Sequence, residues 1–258
     1  MKHAILLDLI AAMRAKGPVR LIETHAGAGL YDLDGEIARR TGEAKAGVGR
    51  LMRAGELPAP LEALRQAVRA ENMGEALRFY PGSPALALKA LAAGDRYRGY
   101  ELRSDDLETL QALLRVRAKR SGVDAVGIEA DGYNALAGEL RGGELVLIDP
   151  PYERGDDYDR VVEAARLCIA RGAALAIWAP IKDLETLDGL TRRIEALFPR
   201  RFELAEVRLR PLSNPMKMNG SAMLLVDTPP IAADSLCTWV AEVCGEPGGV
   251  GRSRRLVD

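Results

Sequence analysis

Residues 123–153 read VDAVGIEADGYNALAGELRGGELVLIDPPYE. A strand-like run at 123–132 ends in Asp131 and Gly132, a helical pattern follows at 133–140, and a second apolar run at 143–151 ends in Asp149, Pro150 and Pro151. Strand, helix and strand in about thirty residues is the pattern of a parallel βαβ unit.

The same rhythm extends outward. Further strand-like runs lie at 18–27, 97–103, 173–181, 201–210 and 221–229, and helical patterns at 104–119, 156–171 and 182–198. The alternation predicts an α/β fold, a mostly parallel seven-strand sheet with helices on both faces. The last two runs lack a helix-length connection, which predicts an antiparallel final pair. One interval is out of scale: about seventy residues separate the first two strands, roughly twice what a βαβ crossover needs. The surplus at 38–80 is helix-compatible and carries eight Lys/Arg against five Asp/Glu, so the reading is one domain over 1–258 with a small inserted helical subdomain at 38–80.

Composition excludes several classes. A formal charge of -1 confines any nucleic-acid surface to a local patch. Three dispersed cysteines without a C-x-x-C and only two histidines, His3 and His25, argue against structural zinc and disulfides. The N-terminal MKHAILLDLIAAMRAKG places Leu6, Leu7, Ile10 and Met13 at helical spacing, and Asp8 interrupts the apolar run. It reads as an amphipathic helix of a cytoplasmic protein rather than a signal peptide. No stretch approaches the roughly 18 apolar residues that cross a bilayer, so no membrane partner is expected.

Ligands of such sheets bind at the C-terminal ends of the strands. Four acids fall there: Glu23 before the small-residue loop THAGAG, then Glu101, Asp131 and Asp149. An acid ending a second strand suits a ribose diol. Asp131 can accept from an exocyclic amine while Gly132 leaves room for a ring. Each acid alone is also what a helix cap requires; their succession favours a nucleoside ligand.

In DPPY the two prolines remove backbone donors and force an extended turn. Asp149 and the Pro150 carbonyl can then both accept from one planar amino group, and Tyr152 offers a face for the attached base. Two directed acceptors favour the pyramidal nitrogen and the positive charge that develops as it attacks an electrophile. The plainer reading is a strand-ending turn.

These residues resemble the S-adenosylmethionine-dependent methyltransferases with a Rossmann-like seven-strand sheet, whose amino-group methylating members carry D/N-P-P-Y/F/W after the fourth strand. More closely, the chain is similar to the RlmJ family of 23S ribosomal RNA adenine-N6-methyltransferases. The matching motifs are KH at Lys2 and His3, THAGAG at 24–29, RTGE at 40–43, YPGSP at 80–84, Glu101, ADG at 130–132 and LIDPPYE at 147–153. The resemblance implies an S-adenosyl-L-methionine site lined by His3, His25, Ser83, Glu101, Asp131, Gly132 and Asp149. It also implies Asp149 as proton acceptor, a lysine associated with catalysis at Lys2, an insertion that engages RNA, and 23S ribosomal RNA as partner. The implied reaction is direct in-line methyl transfer, without a metal, to an adenine held by Asp149, Pro150 and Tyr152. Without the resemblance, His3 and His25 read as surface and loop residues, and Ser83 as a helix N-cap.

Two departures stand out. Family members carry a tyrosine- and histidine-containing segment before the KH helix, whereas here Met1 abuts Lys2, and residues 214–223 match the family's Arg-rich turn only loosely. Alternatives are a DNA adenine-N6 or RNA guanine-N2 methyltransferase, which also use DPPY, or a cofactor- or nucleic-acid-binding protein without turnover.

Overall fold

The computed structural model describes residues 1–35, 43–74, 76–212 and 218–257. The strands in chain order are β1 (Arg20–Glu23), β2 (Leu30–Asp32), β3 (Phe79–Pro81), β4 (Arg96–Glu101), β5 (Asp124–Glu129), β6 (Leu145–Ile148), β7 (Ala174–Ile181), β8 (Phe202–Arg208), β9 (Gly220–Val226) and β10 (Val250–Val257). The helices are α1 (Lys2–Arg14), α2 (Glu43–Arg53), α3 (Ala59–Ala70), α4 (Ser83–Ala90), α5 (Ser104–Ser121), α6 (Gly132–Glu139), α7 (Asp157–Ala170), α8 (Leu184–Glu195) and α9 (Ala233–Cys244).

Eight strands form the main sheet in the order β10-β8-β9-β7-β6-β1-β4-β5. Strands β5, β4, β1, β6 and β7 run parallel. Strand β9 is antiparallel to both β7 and β8, as the short connection between the last two apolar runs requires. From β1 the chain builds outward to β4 and β5, then returns to lay β6 on the other side of β1. The loops after β1 and β6 therefore part at a topological switch point, where a crevice opens.

Alternation along the strands separates two apolar layers. Leu145 and Leu147 of β6, with Met223 and Leu225 of β9, face a layer that includes α1, α3, α4, α5 and α9. Val146 and Ile148, with Leu224 and Val226, face the layer of α6, α7 and α8. Helix α1 is more than amphipathic: Ala4, Ile5, Leu6, Leu7, Leu9 and Ile10 are all buried, because the helix lies between the sheet and α3 and α4. That wedge holds the first turn of α1, and so Lys2 and His3, against the open end of the sheet.

The interval 38–80 is helical over α2 and α3, whose Leu51, Leu61, Leu64, Ala67 and Val68 join the apolar cluster of α1 instead of a core of their own. Residues 38–42 and 75 of that interval, and 214–217 of the loosely matching turn, lie outside the described residues. Among the described residues no helix is long and apolar enough to cross a membrane.

The sheet has eight strands, not the seven expected. The eighth, β10, pairs antiparallel with β8 along the sheet edge. Its sequence VGRSRRLV carries three arginines and little hydropathy contrast, so periodicity does not mark it. A buried carboxylate anchors it instead. Glu206 of β8 is 1 % exposed and meets Arg252 Nε of β10 at 2.6 Å and Arg208 Nη2 at 3.9 Å. Glu206→Ala removes the partner of two arginines at once, and is expected to destabilise the protein by about 3 kcal/mol, read as a lowered urea midpoint.

Candidate active site

Helix α1 and the turn after β6 meet at the switch point. The Lys2 ammonium forms an ion pair with Asp149 Oδ2 and lies 5.6 Å from the centre of the Trp178 ring. Lys2 stands 147 residues from its partner, and only the burial of α1 brings them together. Among the described residues Asp149 Oδ1 has no hydrogen-bond partner, and the Pro150 carbonyl takes no backbone bond. Two acceptors are thus open at the end of β6.

Tyr152 follows in the left-handed region, with φ of 53°, where a side chain with Cβ is strained. Its hydroxyl donates to the Trp178 carbonyl at 2.7 Å, and its ring lies 4.7 Å from that of Tyr158. The tyrosine is 8 % exposed, so little of its ring is open to a stacked base.

Beneath this turn, Glu23 at the end of β1 is wholly buried and accepts from Ser83 Oγ at 2.7 Å. Ser83 is the first residue of α4 and caps nothing; Gly82 holds the cap position, because the serine hydroxyl is spent on Glu23. Among the described residues, Glu23 Oε1 and the adjacent Tyr97 hydroxyl are both buried without a partner of normal hydrogen-bond geometry. Burial pushes the Glu23 carboxyl up to about 8, against the opposing pull of the Ser83 bond and of Lys2. A carboxyl at 4.5 unfolded and about 8 folded binds an extra proton in the native state between those values. Its stabilising contribution is therefore full below the lower value and lost as pH rises through the upper one. Glu23→Gln is expected to flatten that decline and to be the more stable protein above pH 8, by a few kcal/mol, in denaturant titrations across pH.

The loop after β1 is tied to the end of β4. Glu101 accepts from the Gly27 amide at 2.8 Å and from the Leu102 and Arg103 amides at 2.9 Å each. Three of about four acceptor positions of the carboxylate are thus used by the chain itself. Thr24 Oγ1 lies 2.8 Å from His25 Nδ1, and the His25 ring stands edge-on to Tyr133 at 4.9 Å. His3 Nδ1 lies 2.7 Å from the Tyr80 hydroxyl, with the rings stacked. Burial lowers both histidines, His3 with help from Lys2, and His25 despite Asp149, Glu101 and Asp131, which pull it back up. Both rings are neutral at pH 7.

Asp131 closes the other wall. It is the N-cap of α6, accepting from the Tyr133 and Asn134 amides at 3.0 and 3.4 Å, and its Oδ2 is ion-paired with Arg160 of α7. Burial opposes ionisation, but Arg160 and the two amides outweigh it and hold the carboxyl below its ordinary value. The Arg160 guanidinium also lies 4.5 Å from the centre of the Tyr133 ring.

Gly132 also serves the fold. A Cβ there would land on the Thr24 backbone, 2.7 Å from its carbonyl carbon, so the glycine makes room for the β1 loop. The site residues picked from sequence thus gather on one rim: Lys2, His3, His25, Ser83, Glu101, Asp131, Gly132, Asp149, Pro150 and Tyr152 stand around the ends of β1, β4, β5 and β6. Neighbours that sequence reading did not single out are Tyr80, Trp178 and Arg160, each defined by a contact remote in the chain. An open cleft of about 420 Å³ lies at the opposite end of the sheet, lined by Lys16, Arg200 and Asp227 among others, far from this cluster.

The family described as "Ribosomal RNA large subunit methyltransferase D, RlmJ" matches residues 16–256. The Ribosomal RNA large subunit methyltransferase J of Escherichia coli is 34 % identical over 236 residues, covering 89 % of this chain and 82 % of that protein. Its namesake in Haemophilus influenzae is 32 % identical over 237 residues with the same coverage. Among solved structures, protein LPL1258 of Legionella pneumophila superposes with a TM-score of 0.85 at 21 % identity, over 98 % of this chain and 94 % of that one.

Proposed function

The chain belongs to the RlmJ family of ribosomal RNA large subunit methyltransferases and is a methyltransferase, and from that premise we propose that it methylates the N6 amino group of an adenine in 23S ribosomal RNA. The observation that carries the reading is the pair of open acceptors at the end of β6, Asp149 Oδ1 and the Pro150 carbonyl, with Lys2 bound to the other carboxylate oxygen.

The residues present fit S-adenosyl-L-methionine. Apart from its one carboxylate, the cofactor offers a diol, an exocyclic amine, an ammonium and a sulfonium, all donors or cations. The rim answers with Glu101 for the diol, Asp131 for the amine and Asp149 for the cationic centre, while Glu23 Oε1 lies buried without a partner beneath them. When bound, the cofactor supplies an electrophilic methyl group on sulfur.

The chain's own residues supply orientation. Lys2 fixes the rotamer of Asp149, so that Oδ1 and the Pro150 carbonyl accept the two N6 protons of an adenine drawn out of its stack, at a cost of a few kcal/mol. Two acceptors in that geometry turn the nitrogen lone pair out of conjugation and aim it in line with the methyl group. On methylation, Asp149 would take the proton that N6 loses and pass it to solvent. Trp178 and Tyr152 wall the base pocket. The basic residues of α2 and α3, in the interval that resembles the family's RNA-engaging insertion, draw in the phosphate backbone. No residue of the scheme requires a metal.

Cells with and without the gene test the substrate: one adenine of 23S RNA carries N6-methyl only when the gene is present. Methyl on a guanine N2, or on DNA adenine, would transfer the same site to the alternative substrates.

A further inference from the structure

Tyr31 is an aromatic residue at the mouth of the site for which the scheme above has no use. It lies on β2, directly opposite Tyr80 of β3, so both rings share one face of that two-stranded ribbon. Tyr80 in turn holds His3. Tyr31 is 43 % exposed, and among the described residues its hydroxyl has no hydrogen-bond partner.

Two glycines are kept clear for it. A Cβ at Gly27 would collide with the Tyr31 hydroxyl, and one at Gly82 would lie 2.8 Å from its Cε2. Gly27 belongs to the loop after β1, with φ of 63°, and Gly82 immediately precedes Ser83. The phenol therefore lies across the small-residue loop, between the loop that carries His25 and the turn that carries Ser83. Its proton is firmly held: burial, with Asp106, Asp149, Glu23 and Glu101 nearby, pushes the phenol up to about 12. It can donate a hydrogen bond throughout the physiological range.

Charge balance says what the donor is for. Glu23, Glu101, Asp131 and Asp149 suit a diol, amines and a sulfonium. Glu101, Asp131 and Asp149 cannot accommodate the one anionic group of an amino-acid-bearing nucleoside, its carboxylate. Ser83 Oγ donates to Glu23 and Lys2 is bound to Asp149, so the carboxylate is left to the neutral donors of the rim, the phenol and the imidazoles, whose Nδ1 atoms lie against Tyr80 and Thr24. An unpartnered phenol beside this rim is a donor still to be used.

We propose that Tyr31 is a cofactor-contacting residue whose hydroxyl donates to the carboxylate at the methionine end of S-adenosylmethionine. This rests on the methyltransferase reading above. It makes Tyr31 a sensor of the amino-acid tail, so that nucleosides lacking the tail gain nothing from it.

Calorimetry separates the two ends of the ligand. S-adenosylhomocysteine carries the carboxylate, and 5′-methylthioadenosine keeps the nucleoside and thioether without it. Tyr31→Phe keeps the ring over both glycines and removes only the hydroxyl. The expected result is about a tenfold weaker binding of S-adenosylhomocysteine, the scale of a lost hydrogen bond to a charged group, with 5′-methylthioadenosine binding and the melting temperature unchanged. Unchanged S-adenosylhomocysteine affinity would overturn the assignment, and so would an equal loss for both ligands, which places the hydroxyl on the nucleoside or in the fold. A raised KM for RNA with S-adenosylhomocysteine binding intact assigns the ring to the substrate nucleotide and also overturns it. If the wild-type protein binds neither ligand, the methyltransferase site itself has been misread.

Discussion

Asp149→Ala lowers the single-turnover rate of methyl transfer by about a thousandfold, the scale seen when one directed hydrogen-bonding group is removed from a reacting centre. Cofactor affinity changes by less than about tenfold, because Glu101, Asp131 and the β1 loop keep their positions. The reasoning is geometric. The proline pair leaves the strand end without competing donors, and Lys2 occupies one carboxylate oxygen so that the other points at the incoming amine. Alanine removes the acceptor and frees the Lys2 ammonium to face the nitrogen that must become positive. Asp149→Asn keeps one acceptor oxygen but loses the charge that pairs Lys2, so its rate falls between the two. Rapid-quench transfer of a labelled methyl group under enzyme excess, alongside calorimetry of S-adenosylhomocysteine, reads both quantities. Wild-type rates in both variants would remove Asp149 from the mechanism.

Gly132→Ala is expected to cost the fold as much as the loss of the buried Glu206 does. The added methyl group meets the Thr24 backbone rather than the end of a flexible side chain, so either α6 or the β1 loop has to move. Overpacking against backbone costs on the order of 3 kcal/mol, a loss of roughly 10 °C in melting temperature for a chain of this size. The same displacement separates Asp131 from His25, so S-adenosylhomocysteine binding weakens along with stability. Gly138 lies six residues further along the same helix with nothing within 4 Å of its Cβ position. Gly138→Ala is expected to be neutral or stabilising by up to about 1 kcal/mol, since alanine is the better helix former. Thermal denaturation of the two variants side by side distinguishes a steric origin from a generic glycine effect.

The seven apolar runs legible in the sequence all became strands: β6 and β7 are buried on both faces and so are apolar nearly throughout, and each of the seven runs is closed by a turn. The last strand was hidden for the converse reason: β10 is an edge strand held by Glu206 and backbone pairing, and hydropathy does not register either. The acids of the rim were legible because strand ends are where a parallel sheet presents its ligand groups. What each acid does in the free chain was not. Glu101 is engaged by three amides, and Asp131 by a helix end and Arg160.

Gly132 shows the limit most plainly. From sequence, a glycine after an acid reads as space for a ligand, and the backbone it also admits belongs to Thr24, more than a hundred residues earlier. The same distance hides Tyr31, whose place over the loop depends on the β2–β3 pairing across an interval that sequence patterning reads only as helical. Ser83, a helix cap on residue pattern alone and a cofactor-site residue by resemblance, donates its hydroxyl to a buried glutamate sixty residues away, a partner that no local pattern shows.

The central claim is that this site places a methyl group on the N6 of adenine in RNA. The most direct measurement is nucleoside mass spectrometry of 23S RNA, taken from cells lacking the gene and incubated with S-adenosylmethionine and either wild-type or Asp149→Ala protein. The account predicts N6-methyladenosine with the wild-type protein and essentially none with the variant. N2-methylguanosine as the product, or equal N6-methyladenosine from both proteins, would contradict it.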